Sequence, residues 1–553
     1  MLTSSLLVAS LLTQGPSANI TANVNDPQSH GVIGNSLLSL DEAIRLANGS
    51  LLVSQLSAAE QAQLTGIGSV IDTIRIDPMM VPQITLQQPL TDVMGGGMFA
   101  PRLTITGMSM MPGMAMMPVL QAGNVATGIA LRTHMVTVMG LRIVGGQVGI
   151  DAQMMSMGMP MTEMAMVMDC ELEGQTQCGV HLHGMGMDES MLMVMRTTLR
   201  NMPTGFLVDD QTMGGSVMGE NEFLTFDGCN LGVDVVENGM GNVSMWMLFR
   251  STFDNGQTFA RKRRGASSTQ QFMFRFVHCD VHCDGDVVDA QGNAGGLTMI
   301  HHHHSDFVAG AAHKAFYAWP RTAMFDIHGS EMRFVGDVNV AGNTFTMRVW
   351  QQNNRYENGT VTYDVDGALP HLLWNHYENC SLVVPSTARS PVTERSSQFV
   401  NTTIDSQAAF APVALQGCYR SGGSLTGQAS ENNAAPQRFL GTTMVSPQDP
   451  QIGTSVRLST DLPFGVGAIW DFALSYPRPT TTIEPVRFYG DPSTVIVLPG
   501  MAVFQSNIDV PLPFNAALVG MEFYVQAIDL PLLSQSHVPA YHLPRGGLIR
   551  PRL

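Results

Sequence analysis

Charged side chains make up only 13% of this 553-residue chain, and aromatic ones 7%. A surface so poor in charge must be wetted by Ser, Thr, Asn and Gln, which suits extracellular β-structure better than a helical cytosolic enzyme. Basic residues are scarcer still: 28 Lys and Arg face 45 Asp and Glu, a formal charge of −17. That balance argues against nucleic acid as the main partner, since phosphate recognition needs a basic surface. Past the N-terminus no run is apolar for the ~20 residues of a membrane helix, so no span is expected. Cysteine is sparse and odd in number, seven, which speaks against a disulfide framework. Hydrophobic residues still reach 44%, ample for a core. The length allows two or three domains, or one elongated repeat domain with attachments.

The start, MLTSSLLVASLLTQGPSA, carries a short apolar stretch from Leu6 to Leu12 and then small residues. It reads as a secretory signal over 1–18, cleaved after Ala18, which implies a secreted or cell-surface protein. The usual Lys or Arg before the apolar stretch is missing. A disordered or strand-forming N-terminus is the alternative.

Between about Val136 and Leu382 a short pattern recurs: apolar, two variable, small or polar, one variable, apolar. Copies include Val167-Cys170-Leu172, Val194-Thr197-Leu199, Phe226-Cys229-Leu231, Leu248-Ser251-Phe253, Phe276-Cys279-Val281, His302-Ser305-Phe307, Ile327-Ser330-Met332 and Tyr377-Cys380-Leu382. Most copies lie 22 to 32 residues apart; the last gap, of 50, spans two turns with a degenerate copy around Asn353. About 26 residues, three short β-runs and glycine corners are what one turn of a parallel β-helix requires, each turn stacking its inward side chains on the next. On this reading Cys170, Cys229, Cys279 and Cys380 share one rung position and are buried small hydrophobes. The segment HCDVHCDGD, from His278 to Asp286, imitates a zinc motif, but Cys279 is its rung residue. The basic run Arg261 to Arg264 reads as a solvated loop between rungs, with an anionic glycan as the rarer partner.

Ser39 to Asn48 reads SLDEAIRLAN and is followed by DTIRID, ITLQQPL and RLTITG. This resembles the N-terminal part of secreted bacterial right-handed parallel β-helix proteins of the pectin-lyase-like superfamily, which carry a "SLREAI…AN" segment. The match covers about 20–145 by motif and extends to about 405 by architecture, with Asp41 where the pattern has Arg. The resemblance implies a short helix capping the open end of the coil. It also implies a family of adhesins, surface proteins and polysaccharide-degrading enzymes, so it bears on fold and export more than on chemistry. The expected layout is an N-terminal cap and first coils over 19–133, the parallel β-helix over 134–420, and a Ser/Gly/Asn-rich linker over 421–437. A C-terminal antiparallel β-sandwich-like module over 438–553 completes it. Its "NAALVG…FYVQ" stretch is similar to modules on large exported bacterial proteins.

Of 40 methionines, 31 fall between Met79 and Met247. In two strands they alternate, as Met164-Met166-Met168 and Met191-Met193-Met195, with Ala165-Val167 and Leu192-Val194 taken as inward. The methionines then face outward. One outward column reads Met135, Met164, Met191, Phe223, Met245, Met273, Met299, Met324. Three explanations compete: a face covered by the segment from Met108 to Pro118 or by a partner chain, capture of a soft ion such as Cu(I), or adhesion to an apolar surface or ligand.

Farther along, Ile300 to Phe307 reads IHHHHSDF and Phe325 to Met332 reads FDIHGSEM. The register turns His302 inward and sets His301 and His303 outward, beside Asp326 and His328, with Arg275 one rung earlier. Three imidazoles and a carboxylate suit Zn2+ or Cu2+, or a general base beside a cation acting on an acidic sugar. The plainer alternative is a hydrated polar patch, and the carboxylate clusters of β-helix polysaccharide enzymes are not seen. The leading expectation is a non-catalytic exported surface or matrix protein meeting a polysaccharide or protein at the cell surface, with self-association open. A polysaccharide lyase or hydrolase at the His-Asp-Arg patch is the second expectation, and a copper-handling protein the third.

Overall fold

The computed structural model describes residues 20–432 with breaks at 67–70, 95–102, 108–115, 133–134, 154–161, 187–188, 241–242, 266–270, 293–295, 344–347, 368–369, 374, 396 and 417. Beyond 432 it describes the segments 443–446, 454–460, 468–473, 481–483, 486–488, 495–503, 507–511, 523–529 and 547–549. The expected signal segment and most of the segment from Met108 to Pro118 lie outside the described residues. Among the described residues strand accounts for 60% and helix for 4%, in three parallel sheets of a parallel β-helix. Among the described residues no helix is long and apolar enough to cross a membrane. The chain divides into a first unit, 1–300 with 309–324, and a second, 301–308 with 325–553.

In the first unit each coil contributes one strand to each sheet. Thr162–Met168, Glu171–Glu173 and Cys178–Gly186 form one coil. Glu189–Met195, Thr198–Arg200 and Thr204–Thr212 form the next, paired parallel and in register. Alternation decides the faces: Ala165, Val167, Leu192 and Val194 are fully buried. The SLDEAIRLAN segment forms the helix Leu40–Ala47, opened by a capping box between Ser39 and Glu42. It packs on the strands Ile20–Val24 and Ile71–Ile76.

Corners follow a rule that also corrects the rung alignment. Between the first and second sheets a residue takes a left-handed conformation, and the next residue turns inward. Asp169, Arg196, Phe223, Arg250 and His278 hold the bend, with φ from +46° to +56°. Cys170, Thr197, Leu224, Ser251 and Cys279 follow them inward, all buried. The step is 27 residues from Cys170 to Thr197, to Leu224 and to Ser251, and 28 from Ser251 to Cys279. Between the second and third sheets the same device recurs: Asn201, Gly228 and Asn255 bend left-handed, and Cys229 follows Gly228. Cys229 therefore belongs to the second corner, its Sγ toward the Leu199 carbonyl. Cys170 and Cys279 do share a position. Phe223 leaves the outward column for the bend, and Met218 takes its place.

The second unit repeats both corners on a shorter coil. Ser305 and Met332 are 27 apart, but the steps then fall to 22 from Met332 to Asn354, 21 to Asn375 and 22 to Ser397. Three backbone N–H groups donate, each at 3.0 Å, to a side-chain oxygen one coil on: Met332 to Asn354 Oδ1, Asn354 to Asn375 Oδ1 and Asn375 to Ser397 Oγ. At the other corner Asn358, Asn379 and Asn401 are left-handed, with side-chain bonds of 3.4 and 3.3 Å between successive members. Cys380 follows Asn379 there, so it does not share the position of Cys170. Ser330 is not a corner residue either: it ends the strand Met324–Ser330 on the outward face, and Met332 turns inward instead. Inside, Phe334, Tyr356, Tyr377 and Phe399 stack at 5.3, 4.7 and 4.7 Å between ring centroids.

Two further expectations change. Arg261 to Arg264 is not a loop but part of the strand Thr258–Arg264. Alternation sends Arg261 and Arg263 outward to Asp234, at 2.8 and 2.5 Å. Lys262 points inward, where it is paired with Glu237 and wholly buried. The stretch expected as a linker carries the strands Leu425–Gly427 and Ala429–Asn432, which pair with Thr403–Ser406 and Val413–Gln416. The coil thus continues to Asn432, its bends served by the same glycines that suggested a linker. Beyond it the described strands are antiparallel, as in Ala468–Ala473 between Val495–Val503 and Phe523–Asp529.

Candidate functional site

The strand Leu297–His303 alternates half-buried and buried residues, and so does Met324–Ser330. That period places His301, His303, Asp326 and His328 on the outward face, and buries His302 to 1% exposure. Burial holds the His302 imidazole neutral, its pKa lowered to about 3. It faces Gln351 inside the coil at 3.5 Å.

His301, Asp326 and His328 come together: one ligand atom from each lies within 4.8 Å of the others. The Nε2 of His328 is 2.7 Å from Asp326 Oδ1, with side-chain exposures of 12% and 18%. The His301 and His328 rings stack at 4.8 Å and 27°. Trp350 continues the column, its ring centroid 6.4 Å from that of His328. Three half-sheltered N and O donors on rigid strands suit a borderline divalent ion, and a carboxylate beside an imidazole also orients a base.

His303 turns to Ser330, Nδ1 to Oγ at 2.8 Å. His304 lies at the bend and donates to Glu331 at 2.9 Å. Arg275 belongs to the first unit, pairs in register with Met247, and places its guanidinium over the Phe249 ring at 5.9 Å. In the zinc-like segment Cys279 is the inward residue after the bend at His278. Cys279 and Cys283 are buried, and desolvation pushes the Cys283 thiol up to about 12.

The methionine face is outward, as the alternation required. Met164, Met191, Met218, Met245 and Met273 stand in register on five successive strands, all half-buried. Met166 and Met193 form a second column that runs into Glu220, Met247 and Arg275. Met168 and Met195 form a third. Met193 is only 9% exposed although it points out, flanked by Met166 and Glu220 on the adjoining strands.

Among the described residues a second group has metal-ligand geometry: Asp151, His181 and His183. Its two histidines lie in GVHLHG, from Gly179 to Gly184, which no sequence expectation singled out. The His-x-His spacing was the signal, because two residues apart on a strand means one face. Comparison of the chain with protein-family models, curated proteins and solved structures finds no match.

Proposed function

We propose that this chain is an exported surface or matrix protein that acts by binding, through the apolar outward face of its first unit. The supporting observation is the run of five in-register outward methionines. Methionine on the outside of a coil gives up the solubility a polar residue would bring, and contiguous apolar patches on soluble proteins mark interaction surfaces. Thioether side chains are unbranched and polarizable, so such a face adapts to irregular partners. The Leu40–Ala47 helix serves in this reading as the cover of the first strands.

Adsorption of the full chain to alkyl-coated silica tests it. Met191→Asp with Met218→Asp abolishes retention, whereas Met191→Leu with Met218→Leu preserves it. If the leucine variant also loses binding, and the wild-type chain takes up Cu(I) stoichiometrically, the face is a soft-metal site and the adhesion reading fails.

A second reading rests on the proximity of His301, Asp326 and His328: a bound Zn2+ or Cu2+ on the second unit. Calorimetric titration with either ion, repeated on His328→Ala, checks it. Digestion of an anionic polysaccharide that disappears with His303→Ala and His328→Ala would replace both readings by an enzyme.

A further inference from the structure

We propose that Asp151, His181 and His183 form a binding site for a first-row divalent cation such as Zn2+, on the outward face of the third sheet of the first unit. Asp151 lies on the strand Val148–Gln153 and the two histidines on Cys178–Gly186, with Asp151 and His181 directly opposed. The Asp151 Oδ1 atom is 3.0 Å from His183 Nε2 and 3.5 Å from His181 Nδ1. A tetrahedral ion with ligands at ~2.0–2.1 Å has ligand–ligand edges of ~3.3 Å, so these separations already bracket that geometry. The imidazole rings lie 3.6 Å apart between centroids, a crowding of two outward histidines that an ion shared between them would reward.

The surroundings fit a metal site better than a lone ion pair. Arg132 Nη2 donates to Asp151 Oδ2 at 2.6 Å and Nη1 to its carbonyl at 3.1 Å, which fixes the carboxylate and leaves Oδ1 facing the histidines. Burial works against the Asp151 charge, but the bonds from His183 and Arg132 outweigh it and hold the carboxyl below its usual range. The His181 Nε2 atom is buried and has no hydrogen-bond partner among the described residues. The Arg132 charge is met by Asp92 at 3.5 Å, which softens its repulsion of a dication. Side-chain exposures of 12%, 17% and 25% leave the group reachable from solvent.

The test uses the full chain carrying His301→Ala and His328→Ala, so that the other donor group cannot contribute. Calorimetric titration with ZnCl2 is expected to show one equivalent bound, and Co2+ in its place to give visible absorption. Adding His183→Ala or Asp151→Asn abolishes both signals, while Arg132→Gln weakens binding by about 10–100-fold, as for an orienting partner. Thermal unfolding of each variant verifies that the coil is intact, and Asp151→Asn keeps the shape of the side chain it replaces. Absence of Zn2+ uptake by the parent chain, or uptake that survives His183→Ala and Asp151→Asn in folded protein, overturns the proposal.

Discussion

Glu394 is a carboxyl group sealed inside the second unit, held by the Tyr377 hydroxyl and by Ser397 Oγ at 2.6 Å. Burial raises its pKa from 4.5 to about 7. The folded chain therefore keeps a proton that the unfolded chain releases, and stability falls as pH rises from 4.5 through about 7, then levels. Glu394→Gln is expected to flatten that slope and to gain on the order of 2–3 kcal/mol over the wild type at about pH 8. Unfolding midpoints at about pH 5 and about pH 8 measure it. Lys262 poses the opposite case: a cation with no exposure, paired with Glu237 and donating to the Gln291 carbonyl at 3.0 Å. Lys262→Met alone removes the buried ammonium that faces the Glu237 carboxylate and is expected to cost about 3–5 kcal/mol. Adding Glu237→Leu should recover most of it, because a well-packed apolar pair replaces a buried ion pair at little net cost. A double variant whose loss, by urea denaturation, equals the sum of the two single losses would mean that the pair is not coupled.

At the scale of the element, the corners of the second unit bind successive coils through side chains as well as strands. Asn375 Oδ1 accepts the Asn354 N–H, and Asn375 Nδ2 reaches the Gln351 carbonyl at 3.2 Å. Asn375→Ala leaves a buried N–H and a buried carbonyl each short of a bond, an expected loss of about 1–3 kcal/mol per orphaned group. Hydrogen exchange should report it as faster exchange of the Asn354 amide, with distant coils unchanged. The outward elements obey a simpler rule. Because each strand alternates and neighbours pair in register, one methionine column dictates the next, and the histidine face of Met324–Ser330 follows the same logic.

For the whole molecule, stability should be close to a sum over coils and the contacts between neighbours. In the first unit, removal of Thr197 to Phe223 takes out one complete turn and joins Arg196 to Leu224, restoring bend followed by inward residue. Inward Val194 then meets Leu248, and Met191 meets Met245. That chain is expected to fold with unchanged far-ultraviolet circular dichroism, whereas a deletion of half a turn from the same place is expected to aggregate. Folding of both, or of neither, would count against coil-by-coil assembly.

Periodicity, outward methionines and inward His302 were legible in the residues, because alternation and repeat length are local properties of the chain; the helix at SLDEAIRLAN was what the resemblance implied. The alignment of turns was less so. Two corners per coil share one local signature, a left-handed bend followed by a small inward residue, and this drew Cys229 and Cys380 into a position they do not hold, while Ser330 is a small residue that ends an outward strand just before the bend at Glu331. Period-2 alternation within Thr258–Arg264 could have placed Lys262 inside, but charge alone spoke for a loop. Which donors meet is a matter of register between strands some 27 or 30 residues apart. The repeat register had already set His301 beside Asp326 and His328, but only the tertiary structure joined Asp151 to His183 and sent His303 to Ser330.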